Sequence, residues 1–326
     1  MLLLNEEQIR QCVQLDRRAL DAIEKAFVSL SRGEAVVPSP LEFHLADRNG
    51  EVHVKSAYLR GLPSYAIKVA SGFYGNAAQG LPTSSGLVVV LSAETGFPQA
   101  LLLDNGYLTD VRTALAGAIA AKYLARQNVE TVGIIGAGIQ ARFQLQALLL
   151  VRKFRNVVVY ARNAEAGRKY ADEMSRVTKA ELLPVSSISE LMRRSDLVVT
   201  TTPSRQPLIK ASDLHPGLHI TAMGSDLPGK QELEPAVLAR ADILACDQIA
   251  QCAKAGELQH ALAAKTVEKG KAVEVGEVIA GTKPGRQNDS QITVCDLTGI
   301  GVQDTAIAML AYDQARARGL GTEVGQ

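Results

Sequence analysis

The chain has 326 residues, 47% hydrophobic and 21% charged, with 35 Lys and Arg against 34 Asp and Glu and a formal net charge of +1. Such a chain buries a large core, so dominant disorder is excluded, and roughly 150 residues per domain implies about two domains. The balanced charge leaves no basic excess to release counterions from a polyphosphate, and 4% aromatic residues with no Trp offer few stacking platforms, which excludes nucleic acid as the main partner.

The start, MLLLNEEQIR, carries three leucines and then acids. That run is too short for a signal peptide and lacks a basic lead. No apolar run approaches the ~18 residues that span a bilayer, so a cytoplasmic protein with no membrane partner is expected. The cysteines Cys12, Cys246, Cys252 and Cys295 show no CxxC spacing and read as buried thiols in a reducing compartment.

An amphipathic helix is predicted over 6–30. A Pro-rich loop follows at 37–44, in which Glu42 and His44 either line a pocket or are simply exposed. Strands are predicted at 52–59, 65–70, 86–92 and 98–103, with Arg48-Asn49-Gly50 and Thr95-Gly96 as turn signals, hence an antiparallel or mixed sheet. Alternation puts Lys68 on the opposite strand face from Ile67 and Val69. It is either a half-buried carboxylate holder or an outward-facing lysine.

A long Ala-rich helix is predicted over 109–127, with Thr109 as N-cap and Asp110 in its first turn. Arg112 lies in that same turn, where the helix dipole disfavours a cation, a placement that suits a bound anion.

From 131 to 246 short apolar runs recur at 131–135, 157–160, 181–185, 197–201, 219–223 and 243–246, with helices at 139–153, 164–178 and 188–194 in the first three gaps. This rhythm predicts a doubly wound parallel sheet. Gly136, Gly138 and Ala141 form a G-x-G-x-x-A turn between a strand and the helix that opens at Ile139 and Gln140. Gly136 permits the turn, Gly138 lets a pyrophosphate approach, and the helix N-terminus supplies N–H groups. Where NAD-binding chains place an acid after the second strand, this chain has Arg162-Asn163, a cationic fork for a 2′-phosphate. NADP(H) is therefore favoured over NAD(H), the alternative being a solvated Arg162.

After the fifth strand comes Met223-Gly224-Ser225-Asp226, where Asp226 is either a turn former or an acid/base toward an amine or imine. His215 and His219 are separated by Pro216-Gly217, which prevents a shared helix face, so no metal site is expected. A last helix over 302–318 folds back on the first domain. The expected fold is α/β, a Rossmann sheet plus a discontinuous α+β domain, divided as 1–118 with 302–326 and 119–301.

Five segments, Gly80-Leu81-Pro82-Thr83, Tyr107-Leu108-Thr109-Asp110-Val111-Arg112-Thr113, Ile135-Gly136-Ala137-Gly138-Ile139-Gln140-Ala141, Gly224-Ser225-Asp226 and 296–304, together resemble the ornithine cyclodeaminase/mu-crystallin family over nearly the whole length. Within it the chain looks most like the cyclodeaminase-like proteins of ectoine utilisation and the NADP-dependent L-arginine dehydrogenases. The resemblance implies a first domain that binds substrate and forms a homodimer. It also implies hydride transfer between a nicotinamide and the α-carbon of an amino acid. By resemblance Lys68 and Arg112 hold the substrate carboxylate and Asp226 is the acid/base. Thr83, Arg112, Gln140, Thr202, Met223, Lys230 and Leu297 fall at cofactor-contacting positions.

Many relatives carry an Arg in the Pro-rich loop, and here that loop has none. Glu42 could pair instead with a cationic side chain, which favours a basic amino acid such as arginine, lysine or diaminobutyrate. The expectation is an NADP-dependent L-amino acid dehydrogenase or ketimine reductase. The alternatives are a cyclodeaminase that recycles its cofactor internally, and a binding protein without chemistry.

Overall fold

A computed structural model describes residues 1–325, the side chain of Ala77 excepted. The chain forms two compact units, Met1–Arg112 with Ile300–Gln326, and Thr113–Gly299. The first division falls inside a helix that continues without a break, so no change of composition marks it. This is why it differs from the expected 118/119.

The first unit is built on a mixed sheet. Its strands are β1 (Leu2–Asn5), β2 (Ala35–Val36), β3 (Leu41–Leu45), β4 (Gly50–Leu59), β5 (Ser64–Phe73), β6 (Ser84–Ser92) and β7 (Pro98–Leu103), with a short strand Thr322–Glu323 at one edge. β3 through β7 pair antiparallel in succession, and β1 joins β7 in parallel. Asn49 and Gly96 supply the left-handed turn residues that the two turn signals imply.

The segment expected as a Pro-rich loop becomes β3 after Pro40. Leu41, Phe43 and Leu45 alternate with Glu42 and His44, which is a strand pattern. The single helix expected over 6–30 is two, α1 (Glu6–Cys12) and α2 (Arg17–Ser31), because Val13 is extended and Asp16 caps α2, accepting from Ala19 N at 2.8 Å. The C-terminal helix Gly301–Arg318 packs on α2, β4 and β5.

Helix α3 (Tyr107–Leu124) starts before Thr109, and its cap is Asp104, whose carboxylate accepts from Leu108 N at 2.8 Å. Asn105 and Gly106, both with positive φ, turn the chain into the helix early and leave Thr109 inside it.

The second unit carries β8 (Thr131–Ile135), β9 (Asn156–Tyr160), β10 (Glu181–Pro184), β11 (Leu197–Thr200), β12 (Arg205–Ile209), β13 (His219–Ala222), β14 (Gln231–Leu233), β15 (Ile243–Cys246), β16 (Ala272–Glu274) and β17 (Thr293–Asp296). Eight of them form one sheet in the order β10-β9-β8-β11-β13-β17-β15-β16, parallel throughout, while β12 and β14 pair separately. The expected six-strand sheet is thus extended by β16 and β17. Helices α4 (Ile139–Leu148), α5 (Ala164–Thr178), α6 (Ile188–Arg194), α7 (Pro235–Arg240), α8 (Ile249–Ala255), α9 (Glu257–Ala263) and α10 (Val275–Ile279) complete the unit.

Alternate strand residues enter opposite cores: Val157, Val159, Leu197 and Val199 one cluster, Val158 and Val198 the other. Burial on both faces explains the continuous Val, Leu and Ile runs. No helix among the described residues is long and apolar enough to cross a membrane.

Candidate active site

The strand order reverses between β8 and β11, and ligands of open parallel sheets bind beyond the carboxyl ends of strands at such a point. Gly136 follows β8 with φ +118°, and a Cβ there would lie 2.5 Å from Thr201 Oγ1. Only glycine fits. Gly138 caps α4 without a side-chain hydrogen bond, and a Cβ at Gly138 would meet nothing within 4 Å. The space above the α4 N-terminus is therefore open, while Ala141 is fully buried beneath it.

The helix N-terminus after Gly138, the open approach at Gly138 and the tight turn at Gly136 together fit a dinucleotide pyrophosphate. Thr202, Met223 and Leu297 lie just past the carboxyl ends of β11, β13 and β17, at the same sheet edge. Arg162 and Asn163 follow β9 and are exposed; Asn163 also caps α5, accepting from Ala166 N at 3.0 Å.

Asp226 lies in the loop between β13 and β14. Lys230 Nζ donates to its Oδ1 at 2.8 Å, with the Asp226 side chain 40% exposed and that of Lys230 8%. Lys230, expected at the cofactor, is thus also the ion-pair partner of Asp226. Ser225 Oγ donates to Lys230 O at 2.8 Å and closes the loop.

Lys68 and Arg112 come together in the first unit around a carboxylate that the sequence reading assigned no role. Asp304 Oδ1 lies 3.0 Å from Lys68 Nζ and 3.1 Å from Arg112 Nε, and Arg112 Nη1 donates to Gln303 Oε1 at 3.0 Å. All three charged residues are buried: Lys68 3%, Arg112 6% and Asp304 1% exposed. Burial pulls the Lys68 ammonium down to about 7. Asp304 opposes that shift, while Arg112 and Lys55 add to it. Burial raises the Asp304 carboxyl, but the charges of Lys68, Arg112 and Lys55 outweigh it and hold it below its ordinary value. Two basic side chains thus converge on one oxygen of Asp304.

Glu42 does not join that cluster. It sits on β3 opposite His53 of β4, with its Oε1 3.5 Å from His53 Nδ1; Glu51 Oε1 lies 3.6 Å from His53 Nε2 and accepts from Tyr74 Oη at 2.6 Å. Glu51 and His53 were missed, although the 51-53-55 alternation of polar residues along β4 signals a charged sheet face. Thr83 precedes β6, and its carbonyl accepts from Phe73 N at 2.7 Å.

The four cysteines are free and buried. Cys246, Cys252 and Asp296 have ligand-type atoms within 4.8 Å of one another. Burial pushes the Cys252 thiol well up, and it donates to Asp247 Oδ1 at 3.2 Å.

The family model for the ornithine cyclodeaminase/mu-crystallin family matches residues 1–319. An uncharacterised cyclodeaminase of Sinorhizobium fredii is 46% identical over 324 residues, 99% of this chain and 98% of that one. The Thermococcus litoralis Delta(1)-pyrroline-2-carboxylate reductase, solved with NADH and L-proline, superposes with a TM-score of 0.94 at 32% identity, covering 99% of this chain and 100% of that one. An archaeal alanine dehydrogenase dimer with bound NAD gives 0.92 at 35% identity, covering 100% and 99%. These two relatives of known activity are oxidoreductases acting on amino acids or imines with a nicotinamide cofactor. By its match across both units, the chain belongs to the ornithine cyclodeaminase/mu-crystallin family.

Proposed function

We propose that the chain is an NADP-dependent L-amino acid dehydrogenase or ketimine reductase for a basic amino acid. The observation that carries this reading is the pairing of buried Lys68 and Arg112 on the single carboxylate of Asp304. One substrate carboxylate balances that cluster, and charge-assisted hydrogen bonds from both cations orient it.

The basic side chain is read from the sheet face. Register places Lys55 beside Lys68 and Glu42 beside His53, while residues 51, 53 and 55 of β4 share one face. That face is cationic at one end and carries the carboxylates of Glu42 and Glu51 at the other. An amino acid with an α-carboxylate and a distal cation matches this polarity.

A bound nicotinamide supplies the hydride acceptor or donor. Gly136, Gly138, Ile139, Gln140, Thr202, Met223, Lys230 and Leu297 of the second unit, with Thr83 and Arg112 of the first, are the residues we assign to hold the cofactor. Arg162 and Asn163 receive its 2′-phosphate. Asp226 takes the proton that makes the amino group neutral, because a cation beside the α-carbon opposes loss of its hydrogen as hydride. The half-exposed Asp226 carboxyl passes that proton to solvent, and the carboxylate so restored stabilises the positive charge that develops at nitrogen. In reverse, Asp226 delivers a proton to the amine.

The test is a spectrophotometric screen of purified protein with NADP+ or NAD+ and single L-amino acids at alkaline pH. Reduction of NADP+ with arginine, lysine or diaminobutyrate is expected, and Asp226→Asn should lower it about 10²–10⁴-fold with NADPH affinity unchanged within a few-fold. Ammonia release from ornithine without net redox change would reassign the chain as a cyclodeaminase. Full activity of Asp226→Asn would remove Asp226 from the chemistry.

A further inference from the structure

The loop that carries Asp226 is tied down by a residue that no sequence motif marked. Glu232 lies in β14 and is fully buried. Its carboxylate accepts four hydrogen bonds: from Thr200 Oγ1 at 2.5 Å, Thr202 N at 2.7 Å, Thr202 Oγ1 at 2.7 Å and Gly224 N at 2.8 Å. Thr200 ends β11, and Gly224 lies two residues past the end of β13 and two before Asp226. β11 and β13 are neighbours in the parallel sheet, so one carboxylate joins the loops that leave both.

The fit is close enough to dictate a glycine. A Cβ at Gly224 would fall 2.2 Å from Thr202 O and 2.6 Å from Glu232 Oε2. Glu232 is itself held from behind: the Glu257 carboxylate accepts from Glu232 N at 2.7 Å and Leu233 N at 3.1 Å. Burial raises the Glu232 carboxyl while its hydrogen bonds oppose that shift. Two of the partners, Thr202 N and Gly224 N, can only donate, one to each carboxyl oxygen of Glu232. A buried carboxylate is a weak device for stability compared with apolar packing of the same volume. Its four directional bonds instead fix where two loops stand.

We propose that Glu232 is a positioning residue that holds the Thr202 and Gly224–Asp226 loops in register, and so sets both the cofactor contact and the proton-transfer group. The inference rests on the reading of Asp226 as acid/base for its kinetic half, and only on the dinucleotide site for its binding half. Glutamine at 232 keeps the volume but sets an amide N–H₂ against at least one N–H donor, so the loops must shift. A displacement of about 1 Å in a reacting group costs on the order of 10²-fold in rate.

The experiment uses full-length protein. For Glu232→Gln, kcat is expected to fall ~10–100-fold and the Kd for NADPH, read from its fluorescence on binding, to rise several-fold. KM for the amino acid should stay within about 3-fold, because Lys68 and Arg112 are held by Asp304 and Gln303 within the first unit. Thr200→Val removes one donor at nearly constant volume and should produce the same pattern more weakly, whereas Thr200→Ser restores the donor and kcat.

If Glu232→Gln does not fold, the Thr200 pair decides: loss with Val and rescue with Ser supports the proposal, and equal loss in both overturns it. Unchanged kcat and NADPH affinity in Glu232→Gln also overturns it. If Asp226→Asn proves active, the acid/base reading falls, and the NADPH affinity of Glu232→Gln alone then decides whether Glu232 positions the cofactor loop.

Discussion

Asp304 illustrates how a residue acquires its task from what surrounds it. Four groups bear on Lys68: Asp304 of the C-terminal helix, Arg112 of α3, Lys55 of β4 and Asp104 at the α3 cap. With its ammonium near 7 rather than 10.5, Lys68 is fully charged only below about pH 7. Carboxylate binding should be strongest there, with KM rising as pH climbs through that value. For stability the sign is opposite: the unfolded chain keeps the Lys68 proton up to about 10.5, so this group's contribution grows between about 7 and 10.5. Asp304→Asn removes the charge that supports the ammonium. KM should rise ~10-fold or more at neutral pH, with its increase beginning at lower pH than in the parent. A KM-against-pH curve that keeps its midpoint in Asp304→Asn would show that Asp304 only packs the helix.

Elements were legible where a local rule dominates. The run 131–135, Gly136, Gly138 and the helix from Ile139 were readable because strand, turn and helix each follow from neighbouring residues. β3 was not, because Pro38 and Pro40 read as loop while the alternation behind them is only five residues long. β17 was missed because its four residues become a strand by inserting between β13 and β15, a partner choice made across the chain. The turn after β8 permits a direct test. Gly136→Ala must leave φ +118° and displace Thr201. The rise in melting temperature that NADPH confers should vanish, with affinity at least ~10-fold weaker, since several kcal/mol of turn strain cannot be relieved locally. An unaltered NADPH shift would place the dinucleotide elsewhere.

At the level of the whole molecule, the first unit leaves large apolar side chains in the open: Leu41 is 58% and Phe43 48% exposed, both on β3. An archaeal relative is a dimer, and an exposed apolar pair of this kind is where a second copy would bury area. Sedimentation should give twice 34.7 kDa for the parent, and Phe43→Arg should shift the protein toward the single-chain mass, because a buried guanidinium without a partner costs several kcal/mol. A parent that sediments as one chain would leave this face without that role.

The amino-acid sequence by itself determined the parallel nucleotide-binding sheet, the Gly136–Gly138 turn, the family resemblance and the prominence of Lys68, Arg112 and Asp226. Each of these is written in patterns a few residues long, where backbone sterics and hydrophobic period act between neighbours. Tertiary structure alone decided that Asp304 joins Lys68 and Arg112, that Glu42 faces His53, and that Glu232 binds the loops after two strands. Lys68 and Asp304 are 236 positions apart, and Glu232 reaches back 32 positions to Thr200. No local period encodes such distances. The partner of a buried charge is settled by the chain's global path, because an ion removed from water must find compensation wherever the fold brings it.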